Sequence, residues 1–125
     1  MLLVGWEIYL TDEVLEWLDD LEVIDPRSYD LVLAAINQLE LHGPSLGRPL
    51  VDRIEGSKLH NLKELRPGSA ASSELRVLFI FDPWRSAVLL VAGDKAGKWS
   101  RWYAENIPVA EQPYERYLGD RMREG

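Results

Sequence analysis

The stretch between residues 74 and 92 most constrains how this chain can fold. Glu74 to Phe81 alternates so that Leu75, Val77, Phe79 and Phe81 share one side of a pleat. Asp82-Pro83-Trp84-Arg85 has the composition of a turn, and Ala87 to Ala92 returns as a nearly unbroken apolar run. Such a run reads as an interior strand covered on both faces, so the rest of the chain must supply the cover. The chain has 125 residues and no cysteine. That excludes a disulfide framework, thiolate zinc sites, iron–sulfur ligation and cysteine nucleophiles, and it leaves one hydrophobic core as the source of stability. Only two histidines, His42 and His60, are present, too few for a His-rich metal site.

The cover is legible upstream. Val4 to Leu10 reads as a strand with Trp6 and Ile8 on one side. Thr11 is an N-cap, followed by Asp12 and Glu13 at the positive end of a helix. Val14, Trp17, Leu18 and Leu21 recur at helical spacing over 11–22. Asp25-Pro26 starts a second helix, whose stripe of Val32, Ile36 and Leu39 ends at Gly43-Pro44. After the connection from Gly43 to Pro49, Leu59 to Arg66 reads as one unbroken strand ended by Pro67-Gly68. A small, polar hairpin loop runs from Gly68 to Ser73. Past a loop at Gly93 to Gly97, helical pattern occupies Trp99–Glu105. It resumes from Pro108 with Ala110, Tyr114, Tyr117 and Leu118, and Pro113 predicts a kink or break. The expected fold is one α+β domain over 1–125, in the order β-α-α-β-β-β-α. Two N-terminal helices pack on one face of a small antiparallel-rich sheet, and the other face is only partly covered. No apolar run approaches the ~20 residues of a membrane span, and MLLVGWEIYL lacks a basic leader, so a cytoplasmic location without membrane contact is expected.

A formal charge of −7 argues against nucleic acid until it is divided by region. Residues 1–46 hold ten acids and one base, whereas residues 47–101 hold six acids and ten bases. An acidic helical module therefore adjoins a basic strand-and-loop module. The acidic helices, through residues such as Glu16 and Asp19, could be a solvated face or a docking face for a basic partner.

Common catalytic motifs are absent: there is no P-loop, GxGxxG, G-x-S-x-G or H-E-x-x-H. What remains is basic and aromatic. On an unbroken strand, Lys58, His60, Leu62, Glu64 and Arg66 share a face, with Lys63 on the other. Arg76 points away from its apolar neighbours, so Arg66 and Arg76 are expected to meet on the face opposite the helices. Arg66 could equally pair with Glu64 or Glu74 across strands. The loop Gly93-Asp94-Lys95-Ala96-Gly97 allows close backbone approach and offers cations with Lys98. Trp99, Trp102 and Tyr103 could stack on bases or pack the last helix, with Tyr103 the better site candidate because of its polar tip. His60 is a weak acid–base candidate, and His42 suits a helix C-terminus.

Glu64-Leu65-Arg66, Arg76-Val-Leu-Phe79, Lys95, and Ile107-Pro-Val-Ala-Glu111 with Tyr114 and Leu118 together resemble the RelE/ParE toxin superfamily. More narrowly, the set is similar to the phage-derived Gp49-like HigB branch. The resemblance implies a RelE-like fold and a type II toxin neutralised by a helix-turn-helix antitoxin, in a toxin–antitoxin hetero-oligomer. It further implies a ribosome-dependent mRNA endoribonuclease that uses neither metal nor cofactor. In that reaction the RNA 2′-hydroxyl attacks the adjacent phosphate. On this template Arg66 and Arg76 stabilise the phosphate, Lys95 is the acid or leaving-group stabiliser, and Tyr103 stacks or orients. Lys58, Lys63 and Lys98 bind RNA backbone, with His60 and Trp102 also on the substrate side. RelE-type lysines two and four positions before the strand arginine are replaced here by Glu64 and Leu62, so the RelE general base does not transfer. Lys58 or His60 could serve instead. The departure keeps two alternatives open: a ParE-like gyrase inhibitor, or a catalytically weak toxin fold acting through its antitoxin complex.

Overall fold

The computed structural model describes residues 5–68, 70 and 72–124. Chain order is β1 (Glu7–Leu10), α1 (Asp12–Ile24), α2 (Pro26–His42), a 3-10 turn (Gly43–Ser45), β2 (Val51–Arg53), β3 (Lys63–Leu65), β4 (Leu75–Phe81), β5 (Ser86–Asp94) and α3 (Ser100–Glu124). The sheet order is β1-β5-β4-β3-β2. β1 runs parallel to β5, and every other pair is antiparallel. This is the α+β, RelE-like arrangement read from the sequence, with one short edge strand, β2, added. Val4, Ser69 and Ala71, which fall in the expected first strand and hairpin loop, lie outside the described residues.

The helix starts obey local chemistry. The Thr11 hydroxyl accepts from Val14 N, and the Asp25 carboxylate accepts from Ser28 N ahead of Pro26. Gly43 ends α2 with φ +55°, and a Cβ there would lie 2.2 Å from the Trp6 ring nitrogen. Only glycine meets both demands. Val14, Leu18, Val32, Ala35 and Leu39 of the two helices then pack on Leu65, Val77, Phe79, Ala87 and Leu89 of the sheet.

Three expectations are corrected. Asn61 adopts φ +66°, so 58–61 turns and the strand expected over 59–66 shrinks to Lys63–Leu65. The second sheet face is not left partly bare: Trp102, Ala110, Tyr114 and Tyr117 of α3 cover Leu62, Leu78, Ile80, Val88, Leu90 and Val91. Lastly, α3 continues unbroken through both Pro108 and Pro113. A proline inside a helix costs about 3 kcal/mol through a lost hydrogen bond and a ring clash. Burial of Trp102, Ala110, Pro113, Tyr114 and Tyr117 against the sheet offsets that cost.

The β4–β5 turn is locked by Asp82. One carboxylate oxygen accepts from Trp84 N at 2.9 Å and Ser86 N at 2.7 Å, and the other accepts from the Tyr117 hydroxyl of α3. Burial, and then this bond to a carboxylate, push the Tyr117 phenol up to about 12. Asp82→Ala orphans three donors and is expected to destabilise the chain by about 3 kcal/mol or more in urea unfolding. Because the folded pKa is raised, the Tyr117 contribution is complete below the unfolded value near 10 and is lost as pH rises towards about 12. Tyr117→Phe is expected to remove that part of the alkaline stability loss.

Candidate functional site

On the α3 face of the sheet the apolar layer is interrupted by one polar cluster. Glu64 lies opposite Leu78 in the β3–β4 register, which makes Arg76 its diagonal neighbour on the same face. The Arg76 Nε lies 2.9 Å from Glu64 Oε1, with the two side chains 6% and 9% exposed. The Nε–H is not aimed for a linear hydrogen bond, so this contact is ionic. Arg76 Nη1 donates to the Leu75 carbonyl at 2.7 Å, and Nη2 reaches the Glu74 carboxylate at 3.4 Å. From α3, the Tyr103 hydroxyl donates to Glu64 Oε1 at 2.8 Å. Burial, and then this bond, raise the Tyr103 pKa, which keeps the phenol protonated.

Lys95 completes the cluster from the loop after β5. Its Nζ lies 5.2 Å from the Tyr103 ring centroid and 5.3 Å from that of Trp99, within cation–π range. Its backbone N–H is tied to the Glu74 carbonyl at 2.9 Å. No carboxylate of the described residues comes within ion-pair distance of Nζ. Burial lowers the Lys95 pKa first and the Arg76 guanidinium second. Glu64 opposes that shift, and Arg66 adds to it. A cation whose proton is held less tightly than usual is suited to donating that proton and to meeting an anion.

A family model described as phage-derived protein Gp49-like matches residues 17–115 of this chain, from α1 through most of α3. The chain belongs to this Gp49-like family. Two relatives from Mycobacterium tuberculosis (strain ATCC 25618 / H37Rv) agree. One, named "Putative toxin HigB2", is 49% identical over 115 residues, covering 92% of this chain and 55% of that protein. The other, named "Putative toxin HigB3", is 55% identical over 87 residues, covering 70% of this chain and 74% of that protein. The chain thus spans about half the length of the first relative.

Within this Gp49-like fold the residues singled out from sequence separate into groups. Arg76, Lys95 and Tyr103 come together, but Arg66 and Arg76 do not form a free pair. Arg76 is buried and engaged by Glu64, whereas half-exposed Arg66 lies 3.6 Å from Asp52 at the rim. Trp102, expected on the substrate side, is buried in the core, where Gly93 makes room for it: a Cβ on Gly93 would lie 2.8 Å from the indole nitrogen. His60 is exposed on the 58–61 turn rather than on a strand. Lys58 stands beside Tyr103, its backbone N–H held by Glu111 Oε2 at 2.8 Å. Lys98 reaches Glu105 at 3.5 Å on the surface. Lys63, two positions before core-facing Leu65, belongs to the α1–α2 face, away from Lys95.

Glu64 is the organising residue, which sequence reading placed as a departure from a pattern and as a possible partner of Arg66 rather than of Arg76. Its signal is a carboxylate between Leu62 and Leu65, one strand away from an equally isolated Arg76. Two clefts of about 530 and 400 Å³ are lined by residues such as Trp6, Trp84, Tyr9 and Arg121 and do not include the cluster. Among the described residues, no group of His, Asp or Glu is arranged to hold a metal ion. Among the described residues, no helix is long and apolar enough to cross a membrane.

Breaking a buried ion pair leaves a bare charge, so Glu64→Leu or Arg76→Leu is expected to cost about 3–5 kcal/mol in chemical unfolding. The double substitution is expected to cost less than the two singles combined, which a double-mutant cycle measures.

Proposed function

We propose that this chain is the toxin of a type II toxin–antitoxin pair and acts as a ribosome-dependent mRNA endoribonuclease without a metal or cofactor. The observation that carries this reading is Lys95: a cation with a lowered pKa, free of carboxylate pairing among the described residues, and flanked by two aromatic rings. The toxin names of two close relatives support the biological half.

In the proposed reaction the 2′-oxygen of RNA attacks the neighbouring phosphorus and the bond to the 5′-oxygen breaks. The products are a cyclic phosphate and a free 5′-hydroxyl. Charge accumulates on the phosphoryl oxygens and on the leaving oxygen, and pre-placed donors lower that barrier. Lys95 is assigned to both tasks, balancing the oxygens and giving its proton to the leaving group. Arg66 adds positive charge at the rim. Tyr103 and Trp99 offer faces on which a base can stack. Arg76 acts at one remove: held by Glu64, it raises the local positive potential and makes Lys95 more acidic. Lys58 and His60 are the two proposed acceptors of the 2′-hydroxyl proton. A helix-turn-helix antitoxin, the ribosome and mRNA are the proposed partners, in the cytoplasm, and the exposed acids Glu16 and Asp19 of α1 are the proposed antitoxin-facing charges.

One observation favours a non-hydrolytic alternative, gyrase inhibition or action through the antitoxin complex. Arg76, which the resemblance assigns to phosphate, is already consumed by Glu64, Glu74 and a carbonyl. The experiment is induction of the chain in cells followed by mapping of transcript 5′ ends. New ends within translated codons are expected, and Lys95→Met is expected to reduce them by about 10²–10⁴-fold with an unchanged melting curve. No new ends, or inhibited supercoiling by purified gyrase, overturns the nuclease reading.

A further inference from the structure

The far side of the same sheet edge carries a second cationic site. Arg53 of β2 and Lys63 of β3 are direct register partners, so their side chains leave the same face. Two like charges set opposite each other destabilise a strand pair, yet neither has a carboxylate in ion-pair range among the described residues. Arg48, with its side chain 78% exposed, stands at the same groove. Among the described residues its one carboxylate partner, Asp52 at 3.2 Å, is shared with Arg66. The groove holds about 250 Å³, and Gly47 leaves its floor open: a Cβ there would meet nothing within 4 Å. Glycine is therefore not required by packing at this point, and the bare backbone can be approached closely from outside.

We propose that the groove bounded by Arg48, Arg53 and Lys63 binds the phosphodiester backbone of RNA, as a site separate from the Lys95 cluster. Lys63 shares its face with Leu65 and the α1–α2 core, whereas Glu64, Arg76 and Tyr103 lie on the α3 face, so one nucleotide cannot touch both sets. The cations link into a path: Lys63, Arg53 and Arg48 line one groove, Asp52 is shared by Arg48 and by Arg66 at the rim, and Arg66 is close enough to act electrostatically on Lys95. An extended polyanion fits that path. An acidic peptide fits it less well, because a peptide needs apolar anchors and the groove's Leu46 and Val51 are committed to the core. Arginine forks also match phosphate oxygens bidentately. A chain of net charge −7 needs such a local site to hold RNA at all.

The test is fluorescence anisotropy of a labelled single-stranded oligouridylate with the full chain, titrated over a salt series starting at low ionic strength. It uses no ribosome and reads no cleavage, so it stands or falls apart from the nuclease reading. Replacing Arg53 and Lys63 together by Gln is expected to weaken binding about tenfold at low salt. The same change should flatten the log–log salt slope by about 1.4, the loss of roughly two phosphate contacts on a single strand. Both positions are partly or fully exposed, and an unchanged thermal melt confirms folding. Polyglutamate is the competing probe. Failure of the unmodified chain to bind the oligouridylate, an unaltered slope in the double variant, or a loss seen equally or only with polyglutamate overturns the assignment.

Discussion

In β5, Leu90 has no partner on β4: Leu78 pairs with Val91 and Phe79 pairs with Leu89. This bulge inverts the alternation of the strand beyond it, and the layers on both faces depend on that inversion. Val88, Leu90 and Val91 all join the α3 layer, while Leu89 and Ala92 serve the α1–α2 layer. The Leu90 carbonyl freed by the bulge accepts from the Thr11 hydroxyl at 2.9 Å, and the same hydroxyl oxygen caps α1. One side chain thereby couples the start of the first helix to the irregularity of the central sheet. Beyond the bulge, Gly93 falls opposite Arg76 on the α3 face and leaves the hollow that Trp102 fills. Seating Trp102 brings the next residue of the helix, Tyr103, to Glu64.

The polar cluster exists because that geometry buries a carboxylate and a guanidinium together. A buried ion pair contributes little net stability, since desolvation offsets most of the attraction, but each partner alone would be very costly. Its consequence is electrostatic. Arg76 is held in place and neutralised at close range, yet its field lowers the proton affinity of Lys95, which has no carboxylate of its own among the described residues. Tyr103 stays protonated by donating to Glu64 and offers its ring to the ammonium. The cation whose proton affinity the cluster shifts is thus Lys95, chiefly through its own burial and the buried guanidinium of Arg76.

Charge is segregated by layer. The acids of residues 1–46 fall mainly on α1 and α2, whereas Arg48, Arg53, Lys63 and Arg66 gather around the edge strand β2 and its neighbour β3. An edge strand this short presents little backbone for unwanted pairing. It also lets cations from both faces come close to each other around the rim. A chain acidic overall can in this way keep a locally basic edge while repelling polyanions elsewhere.

The sequence by itself determined the first two helices, their caps and the β4–β5 hairpin, because these depend on near neighbours: Thr11 with Val14, Asp25 with Ser28, Asp82 with Trp84 and Ser86. It also made the members of the candidate cluster legible one by one: Arg76 as a charge within an apolar strand, Lys95 in a glycine-flanked loop and Tyr103 as an aromatic with a polar tip. Parity failed wherever one residue shifted the phase. Asn61 ended the expected strand before His60 could join it, and the unpaired Leu90 turned β5 over. Pattern reading could not anticipate an unbroken α3 either, because the support that carries two prolines comes from a sheet face distant in sequence. Only tertiary structure decided that Glu64 would claim Arg76, that Trp102 would be core, and that Lys63 would stand on the opposite face from Lys95. Each of those outcomes rests on a contact between residues at least a dozen positions apart, which no local spacing encodes.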